Sequence, residues 1–170
     1  SMLRRVSRTF ALSIEQLPPV LRDAITVAYL LFRVADAIED HPQLSRGRKV
    51  ELLRLWAKIV AGGEPVERLT GALDNMDSSD PEVAVAKSAA EIIGRMRKLD
   101  PEPSRILSHH VQATALGMAR WQEHGPYVKD IPELDDYMHE VAGRVGYLIT
   151  DIFCWYRPAM RSLRDLLMPR

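Results

Sequence analysis

The sequence predicts an all-α fold, and two observations lead to that prediction. Apolar residues recur three and four positions apart through most of the 170 residues, which is the spacing of a helix that buries one face. Breaking pairs such as Pro18-Pro19, Gly62-Gly63 and Gly125-Pro126 separate these periodic runs. A chain of this length buries about 70% of the surface that its unfolded form exposes, so it needs no disulfide or structural metal to fold. We therefore expect residues 1–170 to form a single all-helical domain.

The first half of the chain divides into three predicted helices. A short helix covers about residues 7–14. A long second helix runs from Pro19, which suits a first helical turn, to about Asp40. Ser45 is the expected N-cap of a third helix, which Gly62-Gly63 closes. We expect another short helix after these two glycines.

The second half begins with a polar loop that ends in Asp80-Pro81-Glu82, a signal for the start of a helix running to about Met96. Two longer helices are predicted over about residues 104–123 and 132–156, and Pro158 marks the end of the last one. The chain shows no internal repeat and no linker long enough to divide it into two domains.

Charge and cysteine content exclude several classes of function. The 23 Lys and Arg residues balance 23 Asp and Glu residues, whereas a general nucleic-acid binder carries a basic excess, so we expect no nucleic-acid partner. The single Cys154 excludes an intramolecular disulfide framework and a cysteine-based zinc cluster. The most apolar uncharged run, residues 24–32, falls short of the ~20 residues of a spanning helix. We expect a cytoplasmic protein, with peripheral membrane contact left open and no signal for a particular oligomeric state.

The second predicted helix carries a polar stripe on an otherwise apolar rod. Tyr29, Arg33, Asp36 and Asp40 follow one another at i, i+4, i+7 and i+11, so they share one helix face. Two carboxylates one turn apart can hold Mg²⁺, which prefers hard oxygen ligands and is completed by water and substrate phosphates.

A solvated helix end is the alternative, in which Arg33 only pairs with Asp36 or Glu39 and the acids face water. The helix is apolar nearly all round from Ala24 to Ala35, which is typical of a buried rod. A buried arginine is costly unless it meets a partner or a polar cavity, so the position of Arg33 favours a site.

Two further predicted helices contain residues that could border a ligand: the first has polar residues near its start, and the last long one has small residues in its interior. Ser7-Arg8-Thr9-Phe10 places a hydroxyl and a guanidinium near a helix N-terminus, which favours an anion, although an N-cap and a surface arginine explain the same residues. Ala142, Gly143 and Gly146 lie inside the last long helix, where small residues indicate either close helix packing or room for a ligand.

Taken together, these segments resemble the squalene and phytoene synthases, the head-to-head prenyl transferases of the isoprenoid synthase fold. The matching segments are Val6-Ser7-Arg8-Thr9-Phe10, then Tyr29 through Arg33 to Asp36-Ala37-Ile38-Glu39-Asp40, then Tyr137 with Val141-Ala142-Gly143 and Val145-Gly146. The resemblance spans residues 3 to about 156. It implies a helical bundle around a central cavity. The family's second aspartate-rich motif has no match after Tyr156, so we expect this chain to hold only the N-terminal part of that bundle.

The resemblance also implies roles for individual residues. Asp36 and Asp40 would form the first aspartate-rich motif and bind Mg²⁺ bridged to the substrate diphosphate. Arg33 would contact that diphosphate from the same helix face. The remaining matches are Ser7 and Arg8 as diphosphate contacts, Tyr29 and Tyr137 as active-site tyrosines, and Phe10, Ile14, Val141, Ala142 and Gly146 as residues lining the tunnel for the prenyl chains.

The activity implied is the condensation of two farnesyl or geranylgeranyl diphosphates head to head, through a cyclopropylcarbinyl diphosphate, to squalene, dehydrosqualene or phytoene. Mg²⁺ would assist diphosphate release, and NADPH would be needed only if squalene is the product. The alternative is a noncatalytic relative that acts as an assembly or binding protein, which the missing second motif favours. A terpene cyclase of the same fold is a further alternative, from which the Val-Ala-Gly segment points away.

Overall fold

The computed structural model describes residues 8–125, 127–162 and 164, with side chains from Phe10 onward, and this part of the chain contains helices and no strand. The all-α prediction is confirmed. None of the helices described there is long and apolar enough to cross a membrane. The helices are α1 (Arg8–Glu15), α2 (Pro19–Glu39), α3 (Arg46–Val60), α4 (Glu67–Ala72), α5 (Pro81–Lys87), α6 (Ala89–Met96), α7 (Pro101–His124), α8 (Ile131–Met138) and α9 (Arg144–Tyr156), with a π-helix at His139–Gly143 and a 3₁₀ turn at Pro158–Met160.

Helix α2 is the centre of the bundle, as its apolar sequence predicts. Twelve of its 21 residues are buried, and it packs against α1, α3, α5, α6, α7 and α9. Pro19 occupies its first turn, where the missing N–H costs no helical hydrogen bond. Because neighbours surround α2, a polar side chain on it must find its partner inside the bundle or at the helix end.

Two caps predicted from the sequence fix the helices next to α2. The Ser45 side chain accepts a hydrogen bond from the backbone N–H of Arg48 at 3.3 Å and so caps α3, which packs along α7. The Asp80 side chain accepts one from the backbone N–H of Glu82 at 2.9 Å and caps α5. The second cap sets the position of Glu82 beside α2.

Three predicted boundaries were wrong. The single helix predicted from the Asp80-Pro81-Glu82 signal to Met96 is two helices, because the chain turns at Ser88. The Ser88 hydroxyl donates a hydrogen bond to the Ala84 carbonyl and so competes with the backbone hydrogen bonds of the helix. Helix α7 starts at Pro101 rather than at Ser104, since prolines in a first turn leave no bond unmade. The last predicted helix is interrupted by the π-helix that joins α8 to α9.

Candidate functional site

A mostly apolar cavity of about 430 Å³ lies between α1, α2 and α9. Five residues singled out in the sequence meet on its wall. They are Phe10, Ile14, Tyr29, Arg33 and Asp36. The other lining residues among those described are Ser13, Leu17, Ile25, Ala28, Phe32, Val145, Leu148, Ile149 and Phe153. The cavity wall is therefore mostly apolar, and it carries one pair of neighbouring charged side chains, Arg33 and Asp36.

Aromatic rings border the cavity on the side of α1. The rings of Phe10 and Tyr29 lie 5.7 Å apart between centroids, at an interplanar angle of 43°. Phe10 is 61% exposed although it is a large apolar residue. The Phe10 ring, tilted against Tyr29, therefore adds apolar surface at the edge of the cavity.

The small-residue segment that matched the family lies beside the cavity rather than on its described wall. Val141, Ala142 and Gly146 are not among the lining residues, and α9 contributes Val145, Leu148, Ile149 and Phe153 instead. Val141 and Ala142 belong to the π-helix, and Val141 packs against the hydrophobic core.

The polar end of the cavity is built from α2 and α5. Arg33 Nη1 lies 3.1 Å from Asp36 Oδ2, and Arg33 Nη2 donates a hydrogen bond to Glu82 Oε1. Burial raises the pKa of Asp36 to about 6, with Arg33 opposing the shift and the charge of Asp40 adding to it. Asp36 is thus a carboxylate whose negative charge the surrounding protein does not fully balance.

The polar stripe continues to the end of α2, where the carboxylates of Glu39 and Asp40 lie near Tyr137. Burial raises the pKa of Glu39 to about 7, and the Lys49 ammonium donates to the backbone carbonyl of Glu39. Burial also raises the pKa of the Tyr137 phenol, and the charges of Glu39, Asp40 and Asp36 add to the shift. The stripe and Tyr137 therefore face each other closely enough to interact electrostatically.

The donor set fits Mg²⁺. Asp36 and Asp40 offer hard carboxylate oxygens, and the raised pKa of Asp36 is the signature of a negative charge that a cation would neutralise. Within the described ranges, no group of three or more His, Cys, Asp and Glu side chains is arranged to hold a metal ion. The two aspartates would hold the ion together with water and substrate oxygens. Ser7 lies outside the described residues, as does the side chain of Arg8, so their assignment to diphosphate stays a prediction.

Sequence reasoning missed two carboxylates. Glu82 was recognised only as part of a helix start, yet it pairs with Arg33 from 49 positions away. Glu140 is buried in the π-helix and forms a two-point ion pair with Arg144 at 2.7 and 3.0 Å, with Arg120 at 3.2 Å. Gly117 leaves room for it, since a Cβ there would collide with the Glu140 carboxylate. The i, i+4 spacing of Glu140 and Arg144 was a signal available in the sequence.

The helical bundle, its apolar cavity and the aspartate stripe on a buried helix define a protein of the isoprenoid synthase class. The family model described as "Squalene/phytoene synthase" matches residues 3–166, and the chain belongs to that family.

Curated relatives agree with this assignment. A squalene synthase of Botryococcus braunii is 32% identical over 145 residues, which cover 85% of this chain and 29% of the relative. A squalene synthase of Saccharomyces cerevisiae is 30% identical over 169 residues, covering 95% of this chain and 36% of the relative. The chain thus spans about a third of the length of these relatives.

A solved structure supports the fold. The complex of TcSQS with the ligand BPH1237 superposes with a TM-score of 0.74, at 22% identity, over 91% of this chain and 43% of that one. At that level of identity the similarity shows the fold alone. The prediction of an isoprenoid synthase bundle is confirmed, and this chain corresponds to less than half of the bundle in that structure.

Proposed function

We propose that this chain forms part of a transferase that condenses two allylic prenyl diphosphates head to head. The observation that carries the proposal is the apolar cavity of about 430 Å³ with Arg33 and Asp36 on its wall. An apolar wall suits a prenyl chain, and a guanidinium beside a carboxylate pair suits a metal-bound diphosphate. Membership of the squalene/phytoene synthase family supports the same class of reaction.

The first task of the site is to bind and orient a diphosphate. Arg33 would donate to its oxygens, since a planar guanidinium matches phosphate geometry with two parallel hydrogen bonds. Asp36 and Asp40 would hold Mg²⁺, which when bound neutralises the charge of the departing diphosphate. The raised pKa of Tyr137 keeps its phenol protonated at neutral pH, so the hydroxyl can donate a hydrogen bond beside the acidic stripe.

The second task is to protect carbocations. Loss of diphosphate leaves an allylic cation, which the double bond of a second prenyl diphosphate attacks to give a tertiary cation. Loss of a proton from that cation closes the ring of a cyclopropylcarbinyl diphosphate. Water would quench the cation, and the apolar side chains on the cavity wall exclude it. The ring faces of Tyr29 and Phe32 on that wall would stabilise positive charge through their quadrupoles.

The substrates and product form the finer part of the proposal. Farnesyl diphosphate would give squalene or dehydrosqualene, and geranylgeranyl diphosphate would give phytoene. Only squalene requires a reduction step, so NADPH would be a second substrate in that case alone.

The test uses protein made from the complete reading frame, incubated with farnesyl or geranylgeranyl diphosphate and Mg²⁺. We expect a C30 or C40 hydrocarbon, or its cyclopropyl intermediate, together with released diphosphate. The Asp36→Ala variant should fold and release none. A wild-type protein that released no diphosphate from any allylic substrate would overturn the proposal.

A further inference from the structure

Glu82 reaches the candidate site from a helix that contributes nothing to the cavity wall. It lies in the first turn of α5, where the Asp80 cap and Pro81 fix its backbone next to α2. Its Oε1 accepts a hydrogen bond from Nη2 of Arg33. Glu82 itself is not among the described lining residues, whereas Arg33 is. Glu82 therefore contacts the site through Arg33, and its charge also acts on Asp36.

Arg33 is divided between two carboxylates. Its Nη1 is 3.1 Å from Asp36 and its Nη2 donates to Glu82, so both outer nitrogens of the guanidinium already have partners. The side chain is only 22% exposed. A diphosphate that binds Arg33 must replace or share at least one of these two contacts.

The contact with Glu82 is a one-point contact. Arg33 Nε and Glu82 Oε2 are both buried, and neither has a hydrogen-bond partner among the described residues. Paired side by side they would form the stronger two-point arrangement seen between Arg144 and Glu140. A partly buried pair that leaves a donor and an acceptor unsatisfied is less stable than a fully bonded one, so a better ligand can displace it.

The local charge explains when displacement is favourable. Arg33 carries the one positive charge of a cluster that also contains Asp36, Asp40 and Glu82, so the ionised cluster is negative overall. A free diphosphate is repelled by such a cluster, and a divalent cation neutralises the cluster and so removes the repulsion. Replacing Glu82 by glutamine removes one negative charge while keeping an acceptor oxygen for Nη2.

We propose that Glu82 is a positioning residue that holds Arg33 in the unliganded protein and makes capture of a diphosphate depend on a divalent metal. The inference rests on the proposed function, since it takes a diphosphate as the ligand of Arg33. Without metal, an anion meets an arginine that two carboxylates already neutralise. With metal on the aspartates, the diphosphate takes the place of Glu82 on the guanidinium.

The experiment is calorimetric titration with inorganic pyrophosphate, once in EDTA and once in Mg²⁺, on wild type and Glu82→Gln made from the complete reading frame. We expect wild type to bind pyrophosphate about tenfold or more tightly with Mg²⁺. In Glu82→Gln the affinity for free pyrophosphate should rise about threefold or more, so that the preference for the metal complex shrinks. Glu91→Gln, an equal change of charge at an exposed position of α6, is the matched control and should keep the wild-type preference.

The outcomes separate the two claims. If wild type and Glu82→Gln prefer pyrophosphate with Mg²⁺ to the same extent, the inference is overturned and the proposed function stands. If wild type binds pyrophosphate neither with Mg²⁺ nor in EDTA, both are overturned. A merely structural role for Glu82 would lower both affinities together or shift only the melting temperature, and that result also contradicts the inference.

A measurement on wild type alone covers the case in which Glu82→Gln does not fold. Arginine-selective ¹⁵N NMR, with the Arg33 signal assigned by Arg33→Lys, reports the guanidinium directly. We expect the Arg33 signal to shift on addition of pyrophosphate with Mg²⁺ and to stay unchanged with pyrophosphate in EDTA. An equal response to both additions, or no response to either, overturns the inference.

Discussion

Two aspartates of the bundle, each beside an arginine, have pKa values shifted in opposite directions. Burial raises the pKa of Asp36 to about 6. The negative charges of Asp40 and Glu82 add to the shift, and Arg33, which is shared with Glu82, opposes it. Burial would also raise the pKa of Asp151, but two hydrogen bonds outweigh it and lower that pKa. These bonds come from Arg164 Nε at 2.6 Å and His110 Nε2 at 2.8 Å.

The contrast distinguishes a structural carboxylate from a binding one. Asp151 has its charge and its hydrogen bonds met by the protein, so it stabilises the packing of α7 on α9. Asp36 is short of positive charge on the wall of a cavity, so we propose that it binds a ligand that brings a cation. Acidic residues that look alike in the sequence thus take opposite roles according to the partners that folding supplies.

The largest effect is expected when the binding carboxylate is removed. Asp36→Ala in protein from the complete reading frame should lower the rate of diphosphate release at least about a hundredfold, because the metal loses one of its two protein ligands. The unfolding free energy should not fall, since keeping the ionised Asp36 buried costs stability at neutral pH. Initial rates and urea denaturation measure the two quantities. Loss of stability with retained activity would reverse the roles assigned to Asp36 and Asp151.

Removing the structural carboxylate should have the opposite result. Asp151→Ala removes the carboxylate that His110 and Arg164 share and leaves the buried His110 without its hydrogen-bond partner, so we expect a loss of about 1–3 kcal/mol of unfolding free energy. Activity per folded molecule should stay near wild type. Asp135→Ala, an exposed change on α8, is the control and should change stability by less than about 0.5 kcal/mol. Equal stabilities for the two variants would show that the Asp151 contacts contribute nothing.

A third carboxylate, Glu140, extends the comparison to the π-helix. Gly117→Ala places a Cβ against its carboxylate and should cost about 1–3 kcal/mol in unfolding free energy. Gly94→Ala, where the added Cβ meets nothing within 4 Å, should be neutral or stabilising, since alanine is the better helix former. Thermal or urea unfolding of both variants measures the difference. A Gly117→Ala protein as stable as Gly94→Ala would show that Glu140 moves aside freely.

The smallest effect concerns pH. The pKa of Asp36 is about 6 in the folded protein against 3.8 when unperturbed, so the folded state binds more protons between those values. Unfolding free energy should therefore fall as pH rises from about 4 to 6, and Asp36→Asn should remove about 1–2 kcal/mol of that fall. Asp151, whose pKa is lowered, contributes stability that is present above its unfolded pKa and is lost as pH falls through the folded value. Denaturation in EDTA from about pH 3 to 7 tests both signs, and a parallel pH profile for wild type and Asp36→Asn would refute the first.

Much of the fold could be predicted from the sequence, because it depends on local signals. The apolar rod of α2, the Ser45 cap and the Asp80 cap follow from periodicity and from side chains within a few positions. The start of α7 was predicted too late, because its prolines were treated as helix breaks although a first turn tolerates proline. The π-helix was missed because helical periodicity does not reveal a single inserted residue.

The candidate site was predictable in part for the same reason. The stripe on α2 is an i, i+4 pattern, and the family resemblance supplied Phe10 and Ile14, which lie on the cavity wall. The Arg33 contact with Glu82 was not predictable, since it joins residues 49 positions apart and depends on how α5 packs on α2. The cavity residues of α9 other than Val145 were not singled out, because apolar spacing does not show which residues of a buried helix border a cavity.

The most direct test of the account is the crystal structure of the protein from the complete reading frame with Mn²⁺ and farnesyl thiodiphosphate, with the metal located by anomalous diffraction. The account predicts a metal peak bound by Asp36 and Asp40, the diphosphate against Arg33, and the prenyl chain between α1, α2 and α9. A metal at Asp151, or a ligand bound with the α2 aspartates uninvolved, would contradict it.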